Sequence, residues 1–305
     1  MSADFGQRLQ QTISANRSVL CVGIDPHPSM MPALFGGTEQ HIGDADSLQH
    51  LKRFCSALIQ ASAGRVAAIK PQVAFFEAYG PKGFEILQEL SAQARNAGLL
   101  VIMDAKRGDI GSTAKAYASA WLGAGSAYQA DALTINPYLG RDSLTPFYDQ
   151  ALETQSGLFI LTRTSNPGSA DIQQLAADSM LVWEHVADML STDIHSAKQP
   201  DTLLSPIGIV AGATGPDEAG RLRELLPSAP FLIPGYGAQG ATAHEATAGL
   251  ITDASGVLTG GVVNASRAIS HNRDALDAPD EERYIEAVRT AIERANADLN
   301  TSGSA

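Results

Sequence analysis

Residues 99–118, LLVIMDAKRGDIGSTAKAYA, pass from an unbroken apolar run through a charged cluster into a helix-compatible segment. The run LLVIM (99–103) lacks polar alternation, as a strand covered on both faces requires; a strand with one wet face would alternate. Buried strand followed by helix is one βα unit, and the charged cluster then stands at the strand's carboxyl end. Working outward, the same kind of run recurs at VLCVGI (19–24), VAAI (66–69), ALTI (132–135), GLFIL (157–161), PIGIV (206–210), FLI (231–233) and GVLTGGVV (256–263), making eight. Helix-compatible segments lie at 47–63, 80–97, 111–124, 141–153, 170–191, 216–226, 240–248 and 280–298, and Asp4 to Ala15 can cap the barrel bottom.

Eight such units predict an α/β fold, a (β/α)8 TIM barrel forming a single domain over residues 1–305, with its core at about 17–298 and a disordered tail at 299–305. Barrels of this kind take about 250 residues plus insertions. The stretches Pro26 to Asp46 and Ser191 to Ser205 read as surface insertions, because regular spacing resumes after each. An open doubly wound sheet has the same periodicity and stays open as an alternative; both architectures put the ligand at the carboxyl ends of the strands.

Composition narrows the function classes. With 44% hydrophobic and 18% charged residues in 305, the chain can bury a sizeable core and disorder is excluded for most of it. Lys+Arg number 21 against 33 Asp+Glu, a net charge of −12. That field repels nucleic-acid backbones, and no basic run offsets it, so no nucleic-acid partner is expected. No apolar run approaches the roughly 20 residues needed to span a bilayer, and the first residues lack a secretion signal, so no membrane partner and a cytoplasmic location are expected. Cys21 and Cys55 read as buried free thiols of a reducing compartment.

Charged groups concentrate at the ends of the runs: Asp25, Lys70, Asp104 with Lys106, and Arg267. Asp104 and Lys106 leave the third strand two residues apart and project to the same side. Asp109 follows near a helix start, where a carboxylate alone could serve as an N-cap. The stretch FLIPGYGAQGA matches G-x-G-x-x-G through Gly235, Gly237 and Gly240. A dinucleotide fingerprint fails on context, since only about two further elements remain and the next strand ends in Asn264 rather than an acid. The glycines still permit backbone N–H groups to approach an anion, and Arg267 past the eighth run supplies a bidentate cation, so a phosphate monoester fits better. Thr164 and Ser165 offer hydroxyls to a polar ring or an ordinary turn. Seven histidines show no HxH or HExxH spacing, and no metal site is expected.

These residues together resemble a known family. MDAKRGDI fits the D-x-K-x-x-D signature of the orotidine 5′-phosphate decarboxylases, and GIDP, IKPQ, TSNPG, PGYGAQG and NASR fall in that family's order over roughly residues 19–270. IDPHP and LTRTSNPG resemble its longer bacterial group. The resemblance implies that Lys70, Asp104, Lys106 and Asp109 form a charged catalytic tetrad in a homodimer. Asp109, Ile110 and Thr113 would reach into the neighbouring subunit's site. It further implies that Asp25 binds ribose, Ser165 the pyrimidine, Gln239 both ring and phosphate and Arg267 the phosphate, with Pro234, Gly235 and Gly237 around them. Two departures stand out: Pro71-Gln72 follows Lys70 where shorter members have small apolar residues, and Ser266 precedes Arg267 in place of glycine.

The implied reaction releases CO2 from C6 of orotidine 5′-phosphate, giving uridine 5′-phosphate in de novo pyrimidine biosynthesis. The C6 carbanion lies in the ring plane, outside the π system, so fixed charges must stabilise it and no cofactor is expected. Lys106 would stabilise it and then deliver the proton. Competing readings are a Mg²⁺-dependent keto-sugar-phosphate decarboxylase or hexulose-phosphate synthase with a similar cluster, a Schiff-base lysine at Lys70 or Lys106, and a non-catalytic nucleotide-binding module.

Overall fold

The structure, a computed structural model, describes residues 3–38, 41–237 and 240–303. Each of the eight apolar runs supplies one parallel barrel strand: β1 (Leu20–Ile24), β2 (Ala68–Pro71), β3 (Leu100–Arg107), β4 (Ala132–Ile135), β5 (Gly157–Arg163), β6 (Ile207–Ala211), β7 (Phe231–Ile233) and β8 (Gly261–Ala265). Closure rests on β1, which pairs with β2 (Cys21 opposite Ala68) and also with β8 (Leu20 opposite Val263). An open sheet would leave two unpaired edges, so the doubly wound alternative is excluded. Every residue of β1, β2, β4, β6 and β7 is buried, which explains why these runs do not alternate.

The helices are α1 (Phe5–Asn16), α2 (Ser47–Ser62), α3 (Val73–Glu77), α4 (Pro81–Asn96), α5 (Gly111–Leu122) and α6 (Arg141–Thr154). They continue with α7 (Val182–Ala197), α8 (Pro216–Leu225), α9 (Ala243–Thr247), α10 (Arg267–Ser270), α11 (Arg273–Leu276) and α12 (Glu281–Ser302). Helix α1 closes the amino-terminal end of the barrel, as expected. Its Asp4 and Gln7 cap each other's backbone N–H groups, at 2.9 and 3.2 Å. Its Phe5, Leu9 and Ile13 are wholly buried, and Phe5 meets Phe159 of β5 edge to face at 5.8 Å.

Three expectations are corrected. The helix expected over 170–191 is instead a 3-10 turn (Pro167–Asp171), a small hairpin (Ala176–Ala177 with Met180–Leu181) and then α7, which runs on to Ala197, into the first half of the expected 191–205 insertion. Tertiary bonds outweigh helix propensity here: the Gln173 side chain accepts from the Thr164 N–H at 2.9 Å and donates to Thr164 Oγ1 at 2.8 Å. Second, the run GVLTGGVV spans two elements. Leu258–Thr259 pairs with Ile251–Thr252 in an outer hairpin, and the chain turns at Gly260 (φ 95°) before entering β8. Third, α12 continues to Ser302, because Leu299 is wholly buried and extends the helix's apolar face.

Candidate active site

The carboxyl ends of the strands surround a cavity of about 530 Å³. Strand β2 delivers Lys70 and β3 delivers Asp104 and Lys106, all three lining it. Lys70 Nζ lies 2.6 Å from Asp104 Oδ2, and Lys106 Nζ lies 2.5 Å from Asp104 Oδ1. One carboxylate thus bridges two ammonium groups. Lys70 and Asp104 are buried, whereas 47% of the Lys106 side chain remains accessible, so Lys106 is the member of the chain presented to a ligand.

Electrostatics fix the charge states. Burial alone would raise the Asp104 pKa, but the two ammonium groups outweigh it and hold the carboxyl well below the usual range. Burial alone would lower the Lys70 pKa; Asp104 and, behind it, Asp25 reverse this and raise it above the ordinary lysine value. Cys21, enclosed beneath the lysine, is pushed up to about 12 by burial and stays a thiol.

The other expected residues divide into two groups. Asp25, Ser165, Pro234, Gly235 and Arg267 line the same cavity. Asp25 keeps a buried Oδ1 without a hydrogen-bond partner, an acceptor suited to a ligand hydroxyl. Ser266 is accommodated by Gly23: a Cβ at residue 23 would come within 1.9 Å of Ser266 Oγ. The serine that replaces the expected glycine therefore packs over β1 and still leaves Arg267 facing the cavity. Gly237 departs from expectation: it does not line the cavity, and its N–H donates to Ala241 O at 3.1 Å. Its positive φ of 71° is used to turn the loop. Gln239 lies outside the described residues.

Asp109, Ile110 and Thr113 are absent from the cavity wall. Asp109 is half-buried and accepts from the Ile110 N–H at 2.8 Å, one residue ahead of the α5 N-cap, so it does not cap that helix. Ile110 and Thr113 are exposed. Within one chain, three of the four expected charges come together.

Two polar residues escaped the sequence reading. Gln72 donates to Asp104 Oδ2 at 3.0 Å, and Thr134 Oγ1 donates to Asp104 Oδ1 at 3.1 Å while accepting the Lys106 N–H at 2.9 Å. The signal for Gln72 was its two-residue spacing from Lys70. Thr134, inside ALTI, looked like any β-branched strand residue.

A closed parallel barrel with a lysine–carboxylate–lysine chain at its carboxyl-terminal mouth defines a (β/α)8 enzyme that works on a small ligand. Residues 18–281 match the orotidine 5′-phosphate decarboxylase / HUMPS family, and the chain belongs to it. An orotidine 5′-phosphate decarboxylase of Rhodopirellula baltica is 40% identical over 302 residues, covering 97% of this chain and 98% of the relative. A solved chain from Streptomyces avermitilis superimposes with a TM-score of 0.80 at 36% identity, covering 100% of this chain and 97% of that one. Leishmania donovani OMP decarboxylase does so with a TM-score of 0.72 at 31% identity, covering 97% and 99%.

Proposed function

We propose that this chain decarboxylates orotidine 5′-phosphate to uridine 5′-phosphate, in the cytoplasm, with Lys106 as the proton donor. The observation that carries the reading is the Lys70–Asp104–Lys106 chain, whose outer ammonium faces a nucleotide-sized cavity. Arg267 and the loop at Gly235 receive the phosphate, Asp25 the ribose, and Ser165 and Pro234 the ring, which brings C6 to Lys106. Ring C6 then loses its carboxylate: the bond to CO2 breaks, its electron pair stays on C6, and Lys106 first faces that pair as a cation and then gives it a proton. Uridine 5′-phosphate results, and the neutral amine left on Lys106 regains a proton from water. Asp104, fixed between two cations, holds the Lys106 ammonium by an ion pair at 2.5 Å at the place where the carbanion develops. Phosphate binding, remote from the breaking bond, supplies energy for closing and drying the site.

Asp109, Ile110 and Thr113 act in the neighbouring subunit's site of a homodimer on this reading. Supporting it, exposed apolar side chains follow the paired strands β3 and β4: Ile110 (57% accessible) and Tyr117 (37%) after β3, and Tyr138 (77%) and Leu139 (50%) after β4. Such a patch is suited to burial between copies of the chain.

The direct test follows the orotate chromophore with purified protein in the presence of a chelator. Its disappearance at an undiminished rate is expected. Absence of turnover, or turnover that requires added Mg²⁺, would overturn the reading in favour of a non-catalytic binder or a metal-dependent sugar-phosphate enzyme.

A further inference from the structure

Asp104 accepts four side-chain hydrogen bonds, and their distribution is symmetrical. Oδ2 takes the Lys70 ammonium at 2.6 Å and the Gln72 carboxamide at 3.0 Å; Oδ1 takes the Lys106 ammonium at 2.5 Å and the Thr134 hydroxyl at 3.1 Å. Each carboxylate oxygen therefore holds one cation and one neutral donor. We infer that Thr134 and Gln72 are positioning residues of the decarboxylation, the neutral pair that fixes the plane of Asp104 and with it the direction in which Lys106 presents its ammonium.

The chain of cause begins in the strands. Gln72 follows Lys70 by two residues, its N–H still bonded to Ile24 O at 3.1 Å, so both side chains enter the barrel from the same face of β2. Thr134 is 1% exposed and faces inward from β4. Its hydroxyl accepts the Lys106 N–H at 2.9 Å, which leaves its own hydrogen to point at Asp104. Lys106 has a φ of 47°, a left-handed backbone that lysine rarely adopts. A buried hydroxyl bound both to that backbone and to the carboxylate holds the strained residue and its partner in one geometry.

The neutral donors matter most when the proton moves. Once Lys106 has given its proton away it is an amine, and Oδ1 of the buried Asp104 loses a cationic partner. The Thr134 hydroxyl remains as its donor, and Gln72 and Lys70 remain on Oδ2, so the carboxylate stays solvated and in place. Removing a neutral donor thus acts on the chemical step and little on ground-state binding.

The inference rests on the assignment of Lys106 to catalysis, and the experiment separates the two. Steady-state kcat and KM and the affinity for uridine 5′-phosphate are measured for Thr134→Val, Thr134→Ser and Gln72→Met, with Lys106→Ala as the control and circular dichroism as the check on folding. Thr134→Val, equal in volume, is expected to lower kcat about tenfold or more, with KM and product affinity within about twofold. Thr134→Ser, which keeps the hydroxyl, should restore most of kcat. Gln72→Met, half-buried on the cavity wall, makes the same test without altering a fully buried strand position and should lower kcat in the same way. Equal losses in Thr134→Val and Thr134→Ser, or unchanged kcat in folded Thr134→Val or in Gln72→Met, would overturn the inference. Full activity in Lys106→Ala would instead bring down the catalytic assignment itself.

Discussion

Lys70 illustrates how a buried ion pair sets both chemistry and stability. Removing Lys70 takes away the buried one of the two cations on Asp104 and leaves only the half-exposed Lys106, a loss of up to about 3 kcal/mol. Lys70→Met should therefore destabilise the protein at neutral pH, Asp104 then facing Lys106 alone. The pH dependence follows from the directions of the shifts. Asp104 is lowered in the folded state, so its contribution is present above the unfolded value of about 3.9 and fades as the pH falls through the folded value. Lys70 is raised, so its contribution is present below about 10.4 and fades as the pH rises through the folded value. Denaturant unfolding of wild type and Lys70→Met should thus differ most near neutrality, and the difference should shrink as the pH falls below about 3.9 and on through the lowered folded value of Asp104; a difference independent of pH would contradict it. The site was legible where charges stood at strand ends with two-residue spacing, as at Asp104 and Lys106. Gln72 obeys the same spacing, but it carries no charge and follows a proline, a residue more common at a turn than inside a strand. Thr134 could not be found at all, because nothing local distinguishes a strand threonine that packs from one that positions an acid.

At the level of elements, β7 is only three residues long and is tied in by a side chain from α8. Arg223 donates to Gly249 O at 2.9 Å, Ala229 O at 2.7 Å and Gly260 O at 2.7 Å, with its guanidinium 3.9 Å above the Phe231 ring. Burial lowers its pKa to about 10, so it is still charged at neutral pH. It serves Ala229 O ahead of β7 and gives Gly260 O, ahead of β8, a second donor beside the Phe231 N–H at 3.0 Å. Arg223→Met should cost about 2–4 kcal/mol through those carbonyls, read as a lower thermal midpoint with near-normal kcat at temperatures where the variant is folded. An unchanged midpoint would mean that water serves the carbonyls equally well. All eight barrel strands were legible because parallel strands covered on both faces read as plain apolar runs. The errors fell where local pattern met tertiary demand: GVLTGGVV is apolar throughout yet must leave a hairpin and enter the barrel at Gly260, and the segment ahead of α7 is diverted by Gln173 bonding back to Thr164.

For the whole molecule, an anionic protein must take in an anionic nucleotide. The net charge is −12, yet Lys70, Lys106 and Arg267 line the same cavity, with Asp25 and Asp104 as its carboxylates. A focused local field of this kind admits the ligand while the rest of the surface repels polyanions. The tetrad is then completed on the proposed dimer, whose two sites each draw Asp109 from the other chain. Lys106→Ala homodimers and Asp109→Ala homodimers should each be inactive. After subunit exchange a hybrid has one site with both defects and one with neither, the intact Lys106 of one chain meeting the intact Asp109 of the other. Equal mixing makes half of the dimers hybrids, each with one working site of two, so recovery should approach about a quarter of wild-type activity. If Asp109 served its own chain, every site in every dimer would carry one defect and mixing would restore nothing. Recovery that grows with the time allowed for exchange, and stops when exchange is blocked by cross-linking before mixing, would establish that the active unit is the pair.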